Sequence, residues 1–167
     1  MRFDRFDLFL EHPNGSCVCM CSMAEAQERR LDHIVLIDDE EDCNFVTKLV
    51  LQRSGYKGKL TCFTSARAAL DHLEQAKEAP DLYFVDINMP GMTGFEFMEQ
   101  CIEQGSLPNG RSSVVMFSSS NRPCDMERAR SLPGVIGYVE KALTPEAFEE
   151  VKYKHLHAGN GNLDNTP

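Results

Sequence analysis

Short apolar runs alternate with amphipathic segments between residues 31 and 155. Runs of this length, rich in β-branched and aromatic residues, are typical of buried strands. The predicted strands are residues 33–37, 59–63, 81–86, 113–118 and 135–139. The predicted helices are residues 41–54, a segment after Thr64-Ser65, residues 93–104, a short segment after Pro123, and residues 144 to about 153. Strands that alternate with helices predict a parallel sheet with helices on both faces.

The first predicted helix shows the pattern most clearly. Its apolar residues lie at helical spacing, namely Phe45, Val46, Leu49 and Val50. Ser54-Gly55 follows and ends it. No internal repeat and no second domain are evident, so we expect a single α/β domain.

The third apolar run ends in an aspartate, within the stretch FVDINMP at residues 84–90. A carboxylate at the end of a buried strand is costly unless a partner pairs with it. Two interpretations are open for the stretch taken alone. Asp86 caps the next turn, as aspartate commonly does, or the strand serves to present its carboxylate.

Polar side chains follow four of the five predicted strands. They are Asp38 and Asp39 after the first, Asp86 after the third, Ser118 after the fourth and Lys141 just past the fifth. In parallel sheets of this kind the carboxyl ends of the strands form one edge, where functional groups gather. Two like charges about 4 Å apart repel by about 4 kcal/mol at an effective dielectric of about 20, so the three carboxylates need a cation. Mg²⁺ is the natural candidate, because it prefers oxygen ligands.

This set of groups predicts phosphoryl chemistry. A carboxylate held beside Mg²⁺ and a lysine can attack a phosphoryl group and form an acyl phosphate. The metal and the ammonium would neutralise the phosphoryl oxygens in the transition state. The strand that ends at Asp86 is therefore interpreted as presenting a phosphoacceptor.

The functional residues occur in a specific order along the chain. Asp38-Asp39 comes first, then Asp86 within DINMPGMTG, then Ser118 after an apolar strand, and Tyr138 three residues before Lys141. This ordered set resembles the receiver domain of two-component response regulators, over residues 32–155. The resemblance implies a flavodoxin-like (βα)5 fold, a doubly wound parallel sheet with strand order 2-1-3-4-5. We assign residues 31–155 to a receiver of the stand-alone, single-domain type.

The resemblance also implies a role for each residue of the acidic site. Asp39, Asp86 and the carbonyl of Asn88 would bind Mg²⁺, and Asp38 would act mostly through water. Asp86 would take the phosphoryl group as an aspartyl phosphate, and Lys141 would contact it.

A second group of residues would respond to phosphorylation. By the same resemblance, Ser118 contacts the phosphoryl group and forms a switch pair with Tyr138, while Asn88 and Ser120 tune dephosphorylation. The chain departs from the family at Ala142, where a proline usually follows the lysine and that bond is usually cis. The sequence does not choose between a cis and a trans Lys141–Ala142 bond.

The implied function is a phosphorylation-dependent signalling receiver in a phosphorelay, not a turnover enzyme. The sender would be a sensor histidine kinase or a histidine phosphotransfer protein, and an unidentified protein would read the switched surface. A phosphate sink and a non-phosphorylated scaffold receiver are the alternatives.

Other readings of the acidic residues fit less well. Residues 38–42 could be only a helix N-terminus favoured by the dipole. A haloacid-dehalogenase-type phosphatase places its nucleophile in a D-x-D motif after the first strand, whereas Asp38 and Asp39 are adjacent. A flavodoxin would need a phosphate-cradling loop there, and DDEED would repel the phosphate.

Composition and charge narrow the partners and the compartment. The formal net charge of −9 argues against broad binding to nucleic acid or anionic membranes. No apolar run is long enough to span a membrane, no signal peptide is evident, and we expect a cytoplasmic protein. The seven cysteines are an odd, scattered set and predict reduced thiols, not a disulfide framework.

The two ends of the chain lack the regular pattern. We expect residues 1–30 to be a disordered or non-native leader that the fold does not need, with Met23 as a possible alternative start. Cys17, Cys19 and Cys21 alternate within it, a spacing unlike the C-x₂₋₄-C pairs of structural zinc sites. Residues 156–167 are Gly- and Asn-rich and predict a flexible tail.

Overall fold

A computed structural model of the protein describes residues 29–76, 78–107, 110–120 and 122–158. Its strands are β1 (His33–Ile37), β2 (Lys59–Phe63), β3 (Leu82–Asp86), β4 (Ser113–Ser118) and β5 (Val135–Glu140). They form one sheet in the order β2-β1-β3-β4-β5, and every neighbouring pair is parallel. The predicted flavodoxin-like fold and strand order are confirmed.

A helix follows each strand. The helices are α1 (Glu41–Arg53), α2 (Ala66–Gln75), α3 (Gly94–Glu103), α4 (Pro123–Ser131) and α5 (Pro145–His157). Two apolar clusters divide them between the faces of the sheet. One cluster includes residues of α2, α3 and α4, and the other includes residues of α1 and α5. The central strands β3 and β4 are buried along their whole length between these layers.

The first helix is rotated relative to its apolar pattern. Phe45 is 61% exposed and Val46 is 41% exposed. The buried residues of α1 are Asn44, Thr47 and Leu51. Asn44 turns inward because its side-chain amide donates a hydrogen bond to the carbonyl of Asp38 at 2.7 Å. The orientation of α1 therefore places Asn44 against the end of β1 and leaves Phe45 and Val46 facing solvent.

The last helix extends to His157, past the predicted end near Tyr153. His155 is buried; its Nδ1 lies 2.9 Å from Ser113 Oγ and its Nε2 lies 2.9 Å from the carbonyl oxygen of Arg30. Arg29 also reaches the domain, donating to the carbonyl of Gly110 at 2.9 Å. Arg29 and Arg30 thus contact the receiver, although both fall inside the predicted leader.

The remaining leader residues 1–28 lie outside the described residues, and so do Met23, the three alternating cysteines and residues 159–167. Leu156 and His157, which fall inside the predicted tail, belong to α5; the rest of the leader and of the tail stay predictions. Within the described ranges, no helix is long and apolar enough to cross a membrane.

Candidate functional site

The carboxyl ends of the strands bring the predicted site residues to one edge of the sheet. Asp38 follows β1, and its backbone N–H donates to the carbonyl of Phe63 at the end of β2, at 3.0 Å. Asp86 ends β3 and is paired in register with Phe117 of β4. The backbone N–H of Lys141 donates to the carbonyl of Ser118 at 3.0 Å. Backbone pairing therefore fixes four chain segments around a common centre.

Three carboxylates meet at this centre. Asp38, Asp39 and Asp86 each offer an oxygen that lies within 4.8 Å of those of the other two. The exposed fraction is 0% for Asp38 and 2% for Asp86, and Asp39 is half-buried. Burial raises the pKa of Asp38, although its contact with Lys141 acts in the opposite direction. Such a cluster needs positive charge nearby.

The ammonium of Lys141 supplies part of that charge. Its Nζ lies 2.8 Å from Asp38 Oδ2 and 2.9 Å from Asp86 Oδ2. The exposed carboxylate of Glu40 is 3.7 Å away. Burial alone would lower the pKa of Lys141, but its bonds to the two buried carboxylates outweigh burial and raise it. The Lys141–Ala142 peptide bond is cis, although the second residue is not proline.

The donor set fits a hard divalent cation. Asp38, Asp39 and Asp86 carry three negative charges against the single positive charge of Lys141, and oxygen ligands of this kind suit Mg²⁺. Asp38 and Glu40 also lie near the Cys43 thiol. A hydrogen bond to Glu40, with burial, raises the pKa of Cys43 to about 11. The protonated thiol is a poor ligand and nucleophile, so the three aspartates form the better metal site.

Asn88 and Ser118 extend the site toward β4. The backbone N–H of Asn88 donates to Asp86 Oδ1 at 3.1 Å, and its side-chain amide donates to Ser118 Oγ at 3.4 Å. Ser118 is fully buried. Asn88 therefore contacts both the hydroxyl of Ser118 and the carboxylate of Asp86.

Among the described residues, no hydrogen bond joins Tyr138 directly to Ser118. The two residues are connected through Ser120. The Ser120 N–H donates to Ser118 Oγ at 3.1 Å. The Tyr138 hydroxyl donates to the carbonyl of Ser120 at 2.6 Å. The pair proposed as a switch is therefore connected by the backbone of one residue.

Comparison with known proteins identifies the family of the chain. The profile of the response regulator receiver domain matches residues 34–151. The chain belongs to this family. The receiver is 28% identical over 130 residues to the two-component response regulator ARR14 of Arabidopsis thaliana, which covers 74% of this chain and 30% of ARR14. It is 31% identical over 120 residues to ARR10 of the same plant, covering 71% of this chain and 20% of ARR10.

Solved structures show the same fold. A two-component response regulator from Cytophaga hutchinsonii superimposes with a TM-score of 0.71 at 32% identity, covering 77% of this chain and 99% of the other. The chemotaxis protein CheY4 of Vibrio cholerae gives a TM-score of 0.62 at 22% identity, covering 75% of this chain and 98% of the other. The receiver spans less than a third of the length of the plant relatives above.

Sequence reasoning missed one contributor to the site, Asn44, and gave no physical reason for Gly94, the last residue of DINMPGMTG. Asn44, in the first turn of α1, donates a side-chain hydrogen bond to the carbonyl of Asp38. The six-residue separation of Asn44 from Asp38 in the sequence gave no distinct signal. Gly94 begins α3 so close to β3 that an added Cβ would clash with the carbonyl oxygen of Asp86. The signal there was the glycine one residue after Thr93, which caps α3 with Glu96. Only a glycine lets this helix begin against the backbone of the candidate phosphoacceptor.

Proposed function

We propose that the receiver accepts a phosphoryl group on Asp86 in a Mg²⁺-dependent reaction and relays it as a signal. One observation carries the proposal: the buried Asp86 carboxylate is paired with the ammonium of Lys141, whose side chain is 9% exposed, beside two further aspartates. Among the described residues, Asp86 Oδ1 accepts a single hydrogen bond, from the backbone N–H of Asn88. A carboxylate so placed is oriented for attack and not merely capping a turn.

The transfer step balances with a phosphohistidine as donor. An oxygen of Asp86 forms the new O–P bond as the N–P bond breaks, and the bonding pair returns to the imidazole. The ammonium of Lys141 lies 2.9 Å from Asp86 Oδ2. It would contact one phosphoryl oxygen and stabilise the negative charge on that oxygen during transfer. Asp38, Asp39 and Asp86, with the carbonyl of Asn88, would hold Mg²⁺, which when bound supplies charge neutralisation at the phosphoryl oxygens.

Acetyl phosphate tests acceptance without a partner protein. With Mg²⁺ present we expect the intact mass of the protein to increase by one phosphoryl group, and excess chelator to reduce labelling to background. The reason is that three carboxylates balanced by one ammonium repel an incoming anion unless a further cation binds. Full labelling in chelator would contradict the metal role. No labelling in Mg²⁺ would favour a non-phosphorylated scaffold.

After transfer, the lifetime of the acyl phosphate would depend on the residues around it. Asn88 and Ser120 flank Ser118, and both are engaged in hydrogen bonds to its hydroxyl. We propose that these two residues tune hydrolysis, and that the modified protein acts by switching a protein-binding surface around α4, β5 and α5. Slow loss of its own phosphoryl group is not turnover of a substrate.

We propose further that the sender docks on the exposed face of α1. Phe45 and Val46 face solvent, and the first turn of this helix carries Glu41 and Asp42. The helix begins beside the site, because Glu40 precedes it and lies 3.7 Å from Lys141. A histidine kinase or phosphotransfer protein bound here would bring its phosphohistidine to Asp86.

Replacing Phe45 with alanine should slow transfer from a phosphorylated histidine phosphotransfer protein by about fivefold or more, because truncating an exposed aromatic removes interface contact. Its rate of labelling by acetyl phosphate should not change. Tyr153→Ala is the matched control, since Tyr153 is 64% exposed on α5. Unchanged transfer to Phe45→Ala would place the sender elsewhere.

A further inference from the structure

We propose that Asn44 is a positioning residue for the metal: its side-chain amide holds the peptide group that joins Asp38 to Asp39, and so sets the angle between their two carboxylates. This inference rests on the proposed function, because it deepens how the Mg²⁺ site of that reaction is formed. It gives a role in metal binding to a residue of α1 that is not one of the proposed ligands.

Asp38 and Asp39 are adjacent in the sequence, yet their carboxylates meet. Side chains of neighbouring residues in an extended chain point in opposite directions. Both aspartates follow β1 directly, and each offers an oxygen within 4.8 Å of the other and of Asp86. The chain bends at Asp39. The direction of the peptide group between the two residues therefore decides whether both carboxylates face the same centre.

The amide of Asn44 fixes that peptide group. Its Nδ2 donates to the carbonyl oxygen of Asp38 at 2.7 Å, and the bond is buried. A peptide group is planar, so the carbonyl of Asp38, the N–H of Asp39 and the Cα atoms of both residues lie in one plane. A hydrogen bond to the carbonyl therefore limits rotation of the whole plane. It thereby limits the directions in which the two side chains leave the main chain.

Two backbone hydrogen bonds complete a ring around Asp38. The N–H of Asn44 donates to the carbonyl of Glu40 at 3.1 Å. The N–H of Glu40 donates to Asp38 Oδ1 at 2.9 Å. The other carboxylate oxygen, Asp38 Oδ2, lies 2.8 Å from the ammonium of Lys141. The start of α1 therefore holds both the main chain and one carboxylate oxygen of Asp38.

The amide of Asn44 is not explained by core packing. Asn44 is 7% exposed, and its Oδ1 has no hydrogen-bond partner among the described residues. A buried acceptor without a partner offsets much of the stability that the single amide hydrogen bond contributes. The same orientation of α1 leaves Phe45 and Val46 facing solvent. The contact with Asp38 is therefore the better reason for an asparagine at this position.

Titration with Mg²⁺ tests the role directly, on unphosphorylated protein and by calorimetry. Asn44→Ala and Asn44→Leu both remove the donor but fill the position differently, so an effect common to both reports the lost hydrogen bond. Thr47→Val is the matched control, because Thr47 is a buried polar residue of the same helix and valine replaces its hydroxyl with a methyl group. Cooperative melting establishes that each variant is folded.

The dissociation constant for Mg²⁺ should increase about fivefold to tenfold in both Asn44 variants. Contacts that orient metal ligands typically change metal affinity by about tenfold or more, and this contact acts through the main chain of the ligands. Thr47→Val should bind Mg²⁺ as the wild type does, since the Thr47 side chain has no described contact with the aspartates.

Labelling by acetyl phosphate separates positioning from a general structural defect. In both Asn44 variants the Mg²⁺ concentration for half-maximal labelling should rise by the same factor as the dissociation constant. The rate at saturating Mg²⁺ should stay within about twofold of the wild type, because a bound cation itself holds the aspartates together. A structural defect would instead lower the saturated rate and leave the half-saturating concentration unchanged.

An unchanged dissociation constant in both Asn44 variants would overturn the proposal, and so would an equal increase in Thr47→Val. Absence of Mg²⁺ binding to the wild type would overturn it as well. If the wild type binds Mg²⁺ but is not labelled, the proposed function fails. Titration of the same three variants then still decides whether Asn44 positions the two aspartates.

Discussion

Replacing Asp86 with asparagine is expected to abolish phosphoryl acceptance while the fold is retained. The amide has the volume of the carboxylate, and its oxygen can still accept the hydrogen bond from the Asn88 N–H. Lys141 keeps its ion pair with Asp38. The nucleophilic oxygen pair is lost, so labelling by acetyl phosphate with Mg²⁺ should fall by more than about a hundredfold, measured by intact mass.

The matched control for this substitution is Asp71→Asn. Asp71 lies on α2, and its ion pair with Arg67 is exposed to solvent. This variant should be labelled at the wild-type rate, and both variants should melt cooperatively near the wild-type temperature. Undiminished labelling of Asp86→Asn would show that another residue takes the phosphoryl group.

Strand positions could be predicted from the sequence because the physical signal was strong. The segments LYFVD and SVVMFS are buried along their whole length, and central parallel strands must be apolar throughout. The strand order came from the family resemblance, since apolar runs alone do not decide which strands are neighbours. Convergence of Asp38, Asp86 and Lys141 followed from the same topology, because parallel strands end at one edge.

Side-chain orientation was harder to predict. Apolar spacing on α1 could not show that Phe45 faces solvent, because the inward position of Asn44 depends on a contact with Asp38 in tertiary structure. The end of α5 was placed too early for a similar reason. His155 looks like a surface residue in sequence, yet it is buried against Ser113 and Arg30, which are distant along the chain.

The candidate site shows the same limit. Its residue types were evident from the ordered motif, but the role of Ser120 as a link between Ser118 and Tyr138 depends on backbone hydrogen bonds. No periodicity or spacing encodes which carbonyl a tyrosine hydroxyl will reach. The roles of the site residues in phosphoryl transfer stay predictions, and the geometry makes each of them testable.

Removing the ammonium of Lys141 should have a large effect on stability as well as on phosphoryl acceptance. The side chain of Lys141 is 9% exposed, and its ammonium pairs with the carboxylates of both Asp38 and Asp86. In Lys141→Met, two buried carboxylates lose their partner. In the presence of chelator we expect the free energy of unfolding to fall by roughly 3 kcal/mol, as when one member of a buried ion pair is removed.

Mg²⁺ should restore more stability to Lys141→Met than it adds to the wild type. Without the ammonium, Asp38, Asp39 and Asp86 carry three uncompensated negative charges, so a divalent cation gains more from binding there. Denaturant unfolding with and without Mg²⁺ measures this difference. Lys154→Met is the control, because Lys154 pairs with Glu150 on the exposed face of α5. It should respond to Mg²⁺ as the wild type does.

Acceptance from acetyl phosphate should stay at least about a hundredfold reduced in Lys141→Met even at saturating Mg²⁺, since restored stability does not replace the ammonium that would contact the phosphoryl oxygen. No Mg²⁺ response in any of the three proteins would show that the three aspartates do not hold the metal, and wild-type labelling of Lys141→Met would remove the lysine from the reaction.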